Sequence, residues 1–177
     1  MSSPVIHILV GLVALLLYFD DRHRMWALLL LPFAVLPDLD HFHIALFYDP
    51  RVYFHNVFML LPPLIVGLYG LATKRTLVRD VGLMASFLLL THLVLDFFTG
   101  NGEALLYPLR TTMYGFPGSA ALSEDAIVLL PKTLLPWVSY EALGIMLVFL
   151  ALAGILIFKK LAQLNTDVPV TAEQSEA

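Results

Sequence analysis

Long apolar stretches alternate along this chain with short polar segments. A bilayer core of about 30 Å requires roughly 20 apolar residues in a helix, and the pattern predicts five spans of this kind. They cover residues 4–19, 25–36, 54–72, 81–98 and 137–158. The second stretch has only twelve residues, about 18 Å of helix. This stretch can cross the membrane only if the helix continues through the LPDLDH run at residues 36–41.

Two stretches outside these spans have other patterns. Residues 120–135 mix Glu124, Asp125 and Lys132 with Ile, Val and Leu, which is typical of a helix at the membrane interface. Residues 161–177 are polar and acidic without apolar periodicity, which predicts a disordered tail. The predicted fold class is all-α: an integral membrane helical bundle with about five transmembrane helices and one interfacial helix, formed by residues 1–160.

Composition indicates a multi-pass membrane protein, since 59% of the residues are apolar and only 14% are charged. The chain has no cysteine, which excludes disulfides, thiolate metal sites and cysteine nucleophiles. Any metal ion must therefore be bound by histidine and carboxylate. The net charge of −4 comes without a basic run, so we expect no nucleic-acid partner. Nothing in the pattern predicts an oligomeric state.

The lysines and arginines are divided unevenly between the two sides of the membrane. Threading the chain through five spans puts seven of them on one side and three on the other. Because positively charged loops stay in the cytoplasm, we expect a cell-membrane protein with its N-terminus outside and its C-terminus in the cytoplasm.

Four polar clusters interrupt the apolar spans, and all fall at the outer ends of those spans. They are His7, the run at residues 36–41, His55, and the pair His92 and Asp96. The last two are four residues apart, so they share one helix face. Ionisable groups cost roughly 2.5 to 3.5 kcal/mol each at the bilayer centre, so converging carboxylates and imidazoles need a compensating partner. A bound metal ion provides one.

Pro37 determines the geometry of the LPDLDH run, because a proline tends to end or kink the helix before it. If the chain after Pro37 is helical, Asp38 and His41 share a face. If it is extended, Asp38 and Asp40 share one instead. In both cases two groups can bind a common ion. The other polar residues near the clusters are interpreted as helix-capping and loop residues: Asn56, Thr91, Glu103 and Tyr107.

These motifs resemble those of the bacterial and archaeal membrane-bound metal-dependent hydrolases, the YdjM-like family. The resemblance covers about the first 110 residues and rests on His7 with Gly11, LPD-x-DH at 36–41, His55, THLVLD at 91–96, and a Gly-rich stretch ending in Tyr-Pro at 100–108. Where the family commonly has HRG-x-THS, residues 50–56 read PRVYFHN, so only the second His has a counterpart. The family is distantly similar to zinc-dependent phospholipase C and P1-type nucleases, which implies phosphoester hydrolysis.

The resemblance and the clusters together lead us to expect a metal-dependent hydrolase. The predicted metal ligands are His7, Asp38, His41, His55, His92 and Asp96. Asp40 is the predicted catalytic residue, which takes a proton from a metal-activated water. Imidazole with carboxylate suits zinc first, then manganese or iron, as one or more ions. We expect an amphiphilic or lipid-like substrate, with a phosphoester or similar bond cleaved at the extracytoplasmic face.

Two other functions stay open at this point. The protein can be a metal or proton transporter, or a structural membrane protein in which these residues only cap helices. A transporter needs polar groups through the whole depth of the spans, whereas the inner halves are apolar apart from Ser86 and Tyr69. This argues against a continuous polar path.

Overall fold

The computed structural model describes residues 4–41, 53–99, 103–110, 112–115, 127–128 and 140–166. This part of the chain contains five α-helices: α1 Pro4–Tyr18, α2 Asp21–Ala27, α3 Leu61–Ala72, α4 Thr76–Thr99 and α5 Tyr140–Thr166. Three 3₁₀ segments accompany them: Leu28–Ala34, Pro37–His41 and Val57–Leu60. Two short strands, β1 Tyr114–Gly115 and β2 Ile127–Val128, pair in parallel. The all-α prediction is confirmed.

Helix α4 lies at the centre of the bundle. It packs against α1, α3, α5 and the 3₁₀ segment Leu28–Ala34. Leu88, midway along α4, is fully buried in the main apolar core with residues of α1, α5 and that segment. Further along α4, Leu95 packs with Val10 of α1 and Val148 of α5. Helices α1 and α5 therefore both contribute apolar side chains to clusters that include residues of α4.

Helix α1 buries one face. Its buried residues are His7, Val10, Gly11, Ala14, Leu15 and Tyr18. Their spacing of three and four residues is that of one helix face. A Cβ atom at Gly11 would lie 2.9 Å from the Cβ of Ala34, so only glycine lets α1 pack this closely on the Leu28–Ala34 segment.

Helices α3 and α4 form an antiparallel hairpin in which the two backbones touch. A Cβ atom at Gly82 of α4 would overlap the backbone of Gly67 in α3, and one at Gly70 would overlap the backbone of Arg79. Small residues allow this close approach of helices. Lys74, in the turn between the helices, has a φ of 57° and so adopts the left-handed conformation.

The second predicted span is not one straight α-helix. Helix α2 ends at Ala27, and the chain continues as a 3₁₀ helix with Pro32 inside it. Proline has no backbone N–H and clashes with the preceding turn of an α-helix, so the α-helix cannot continue through this position. A second 3₁₀ helix follows at Pro37–His41. The helical alternative for the LPDLDH run is therefore confirmed for its backbone.

Two of the described helices are long and apolar enough to cross a membrane, Thr76–Phe98 and Gly144–Leu161. The apolar helices Pro4–Tyr18 and Val57–Ala72 are shorter. At 1.5 Å per residue, α1 is about 22 Å long, less than the bilayer core of about 30 Å. The prediction of five transmembrane helices is not confirmed by these lengths.

The predicted interfacial helix and the predicted tail lie only partly within the described residues. Within residues 120–135, where we predicted an interfacial helix, the described residues are Ile127 and Val128, and they form strand β2. The helix prediction is wrong there, because these residues pair with β1 instead; the rest of that stretch lies outside the described residues. Helix α5 continues to Thr166, beyond the predicted start of the tail at residue 161. Residues 167–177 lie outside the described residues.

We expect Gly82→Ala to destabilise the protein, because the added methyl group overlaps the backbone of Gly67. Overpacking typically costs 1 to 3 kcal/mol, and a clash with backbone should reach about 3 kcal/mol. Thermal unfolding in detergent micelles measures the change.

Gly154→Ala in α5 is the matched control, since a Cβ at Gly154 has nothing within 4 Å. It should leave stability unchanged or raise it by roughly 0.5 to 1 kcal/mol, the usual gain for Ala over Gly in a helix. Equal unfolding temperatures for the two variants would contradict the backbone contact between α3 and α4.

Candidate metal centre

Four donor side chains from three separate parts of the chain converge at one end of α4. Asp38 comes from the 3₁₀ helix Pro37–His41, His55 from the turn before Val57–Leu60, and His92 and Asp96 from α4 itself. One ligand atom of each lies within 4.8 Å of those of the other three. All four residues are buried. Such a group can hold a metal ion.

The spacing of three of these donors matches the edges of a coordination tetrahedron. His55 Nε2 lies 3.3 Å from His92 Nε2 and 3.3 Å from Asp96 Oδ2, and His92 Nε2 lies 3.4 Å from Asp96 Oδ2. Ligands roughly 2.0 to 2.2 Å from a tetrahedral zinc ion lie about 3.3 to 3.6 Å from one another. Asp38 Oδ1 is slightly more distant, 3.7 Å from His92 Nε2.

A backbone hydrogen bond orients His92. Its Nδ1 lies 2.8 Å from the carbonyl oxygen of Ala34. A carbonyl oxygen only accepts, so Nδ1 carries the proton and donates. The neutral ring then presents the lone pair of Nε2 to Asp96 and His55. Metal-ligating histidines are usually held in this way by a bond from their second nitrogen.

Asn56 fixes the turn that carries His55. Its side-chain oxygen accepts a hydrogen bond from the Phe58 backbone N–H at 3.0 Å, and its amide donates to the Tyr53 carbonyl at 2.7 Å. The Val57 backbone N–H donates to the Leu105 carbonyl at 3.0 Å. The interpretation of Asn56 as a capping residue is confirmed, and it stands where the family commonly has a hydroxyl.

Thr91, Glu103 and Tyr107, the other residues interpreted as capping or loop residues, also make hydrogen bonds or ring contacts. Thr91 donates its hydroxyl hydrogen to the Leu88 carbonyl at 2.7 Å. Glu103 is buried, and its backbone exchanges hydrogen bonds of 2.8 and 2.9 Å with Tyr114. The Tyr107 ring meets that of Tyr53 edge to face, with the centroids 5.6 Å apart. The Tyr53–Tyr107 ring contact and the Val57–Leu105 hydrogen bond hold residues 103–110 against the turn before Val57–Leu60.

His7 contacts the same carboxylate from the other side. Its Nε2 lies 3.2 Å from Asp96 Oδ1, while His55 and His92 approach Asp96 Oδ2. The rings of His7 and His92 are stacked, with centroids 3.9 Å apart. His7 is therefore placed to fix the Asp96 carboxylate. Its predicted role as a metal ligand stays a prediction.

Asp38 is the most accessible of the four donors. Its side chain is 13% exposed, against 7% for Asp96 and 0% for His55 and His92. Among the described residues, Asp38 Oδ2 is buried and has no hydrogen-bond partner. A buried polar atom without a partner costs free energy, so this oxygen is available to a ligand.

The donor set as a whole suits a divalent cation. Asp38 and Asp96 together carry two negative charges when ionised, and both residues are buried. Buried charges of one sign are unfavourable unless a counter-charge is present. Two carboxylate oxygens and two imidazole nitrogens are the ligand types that zinc, manganese and iron accept, and a divalent cation balances the charge.

The structure thus brings together most of the residues predicted from the sequence. Asp38, His55, His92 and Asp96 form the cluster, and His7 adjoins it. The side chains of the predicted base Asp40 and the predicted ligand His41 lie outside the described residues. Sequence reasoning missed the Ala34 carbonyl that orients His92, because a backbone acceptor has no residue-type signature.

The fold and the site together define a helical protein with two helices long and apolar enough to cross a membrane and a buried group of histidines and aspartates that can hold a metal ion. The chain belongs to the YdjM inner membrane protein family, which matches it over residues 1–164. The family resemblance expected from the motifs is therefore confirmed. No curated protein and no solved structure matches the chain. The similarity to phospholipase C and P1-type nucleases is not shown.

Replacing His92 should reduce metal binding more than replacing His7. His92→Ala removes a donor that lies 3.3 to 3.4 Å from two others. His7→Ala removes only a contact to Asp96 and should weaken affinity roughly 10- to 100-fold, as is usual for groups that orient ligands. Titration of the purified, metal-stripped protein with Zn²⁺ or Mn²⁺ measures both affinities.

Asp80→Asn provides the control, because Asp80 lies on α4 away from the cluster, where its carboxylate contacts Arg79 and Tyr18. This variant should bind metal as the wild type does. Wild-type affinity in His92→Ala would contradict the proposed ligand set.

Proposed function

We propose that this protein is a membrane-embedded metal-dependent hydrolase that cleaves a phosphoester or similar bond of a lipid-like substrate. The observation that carries the proposal is the asymmetry of the cluster. Three donors, His55, His92 and Asp96, are tightly grouped, and the fourth, Asp38, lies on the more exposed side. A catalytic metal site differs from a structural one in keeping a position open for water and substrate.

Asp38 is the general base in this proposal. With His55, His92 and Asp96 as the ligands, the position beside Asp38 stays open, and Asp38 Oδ2 accepts the proton that an attacking water must lose. A divalent cation held by His55, His92 and Asp96 would supply Lewis-acid polarisation of the substrate and would lower the pKa of a water molecule to about 7. His7 holds the Asp96 carboxylate, so that Oδ2 of Asp96 stays directed at His55 and His92. Asp40 remains the second candidate for the base.

The centre is proposed to lie at the extracytoplasmic face, with the N-terminus outside and the C-terminus in the cytoplasm. Support comes from the charged groups at the other end of α4. Arg79 pairs with Asp80 there, and Lys159 of α5 donates to the Tyr18 carbonyl at the end of α1. Seventeen residues separate Arg79 from Asp96, about 25 Å of helix. The basic end and the candidate metal centre thus lie towards opposite ends of α4.

The transporter alternative has less support. The described part of α4 between these ends is apolar, and its Ser86 hydroxyl is used in a hydrogen bond to the Gly82 carbonyl at 2.9 Å. A conducting path needs polar groups at intervals through the membrane. The described residues of α4 do not supply them.

Asp38→Asn should reduce turnover strongly while retaining part of the metal binding, because the other three donors remain. Loss of a general base typically lowers the rate 10²- to 10⁴-fold. The measurement is hydrolysis of a panel of soluble and lipid phosphoesters by protein in vesicles loaded with Zn²⁺, Mn²⁺ or Fe²⁺.

Asp80→Asn is again the matched acidic control and should keep full turnover. If the wild type binds stoichiometric metal but hydrolyses no ester in the panel, the hydrolase proposal is wrong. If Asp38→Asn turns over as fast as wild type, the role assigned to Asp38 is wrong.

A further inference from the structure

An apolar groove opens on the side of the bundle, between α3, α4 and the 3₁₀ segment Leu28–Ala34. It has a volume of about 280 Å³, and every residue that lines it is apolar. Phe33 lies in one wall, Val66 of α3 lies in the other, and Val81, Gly82 and Ala85 of α4 form the floor. We propose that this groove binds the hydrocarbon chain of the lipid substrate whose polar head lies at the metal centre, an inference that rests on the function proposed above.

All three elements of the groove lead to the metal centre. Ala85 in the floor and His92 are seven residues apart on α4, so they share a helix face with about 10 Å between them. Phe33 in one wall precedes Ala34, whose carbonyl holds His92. The opposite wall, α3, follows directly on the Val57–Leu60 segment and the turn with His55. The groove is therefore aligned with the ligands along α4.

The small residues of the floor create the concavity. Gly82 has no side chain, and Ala85 adds one methyl group between the larger Phe33 and Val66. Gly82 also lets α3 and α4 approach so closely that their backbones touch. The same contact that joins the hairpin thus leaves a recess beside it.

The apolar lining of the recess and its distance from the candidate metal centre fit a long hydrocarbon chain. A surface without polar side chains offers water no hydrogen bonds, whereas it makes dispersion contacts with methylene groups. On α4 the groove is lined from Val81 to Ala85, and Val81 lies eleven residues from His92, about 16 Å along the helix. Only a long chain can reach from a polar head at the centre to the end of the groove. A soluble phosphoester with a short chain leaves the groove empty.

Val66→Trp tests the proposal, with Ile65→Trp as the matched control. Both residues lie on the same helix and are exposed, Val66 by 45% and Ile65 by 63%. Val66 lines the groove, and Ile65 is not among its lining residues. A tryptophan at 66 fills the recess, whereas one at 65 adds the same bulk outside it.

The binding probe is a phosphatidylglycerol with a photoactivatable diazirine in its acyl chain, incorporated into phosphatidylethanolamine vesicles with the full-length protein. In the wild type, cross-links at Phe33, Val81 and Ala85 should exceed those on the exposed surface of α5 severalfold. Val66→Trp should remove the excess and Ile65→Trp should retain it. Asp38→Asn should also retain it, because the chain is bound without catalysis.

Turnover gives a second readout that separates the two proposals. In the wild type, KM should fall as the substrate chain is lengthened, and Val66→Trp should lose this dependence while cleaving short-chain esters normally. Cross-links spread evenly over the groove and α5 would overturn the groove proposal even if esters are hydrolysed. Groove-specific cross-links without hydrolysis of any ester would uphold lipid binding and contradict the hydrolase function.

Discussion

The burial of two carboxylates at one end of an apolar helix bundle is the constraint on which the rest of this structure depends. Asp38 and Asp96 lie close together without a lysine or arginine beside them among the described contacts. Three histidines from three parts of the chain contact Asp96 instead. Such an arrangement is stable only if a counter-charge compensates for the loss of water. The chemistry of the site and the convergence of the chain follow from that requirement.

Helix α4 has the candidate metal centre near one end and basic residues near the other. At the basic end, the Tyr18 hydroxyl donates to Asp80 at 3.2 Å, Arg79 pairs with the same carboxylate at 2.8 Å, and the Lys159 ammonium lies 4.3 Å from the centre of the Tyr18 ring. These contacts join α1, α4 and α5. Between the two ends, apolar packing holds the helices together. The polar groups named here are thus concentrated at the candidate metal centre and at the helix ends that they join.

Sequence reasoning recovered those features that depend on local periodicity. The long apolar runs identify α1, α3, α4 and α5, and the spacing of four between His92 and Asp96 places both donors on one face. It did not recover features that depend on contacts between distant segments. The contact of His7 with Asp96 depends on how closely α1 packs on its neighbours, which Gly11 permits but does not specify.

The second predicted span shows a different limit. Its apolar composition suits a transmembrane helix, yet Pro32 lies within a 3₁₀ segment and the chain folds against α1 and α4. Hydropathy reports only the solvent that a segment prefers. The backbone geometry is determined by the missing N–H of one residue. The short pairing of β1 with β2 is likewise set by long-range contacts that composition does not reveal.

Pro37, like Pro32, has no backbone N–H, and this absence affects the hydrogen bonding of the His92 imidazole. In the 3₁₀ turns around it, Val35 and Leu36 carbonyls accept from the N–H groups of Asp38 and Leu39, three residues on. The Ala34 carbonyl would accept from residue 37, but proline has no hydrogen to give. That carbonyl is left to His92, which it holds in one tautomer. The proline of the LPDLDH run thus selects which ring nitrogen of a histidine 55 positions further along the chain is free to coordinate.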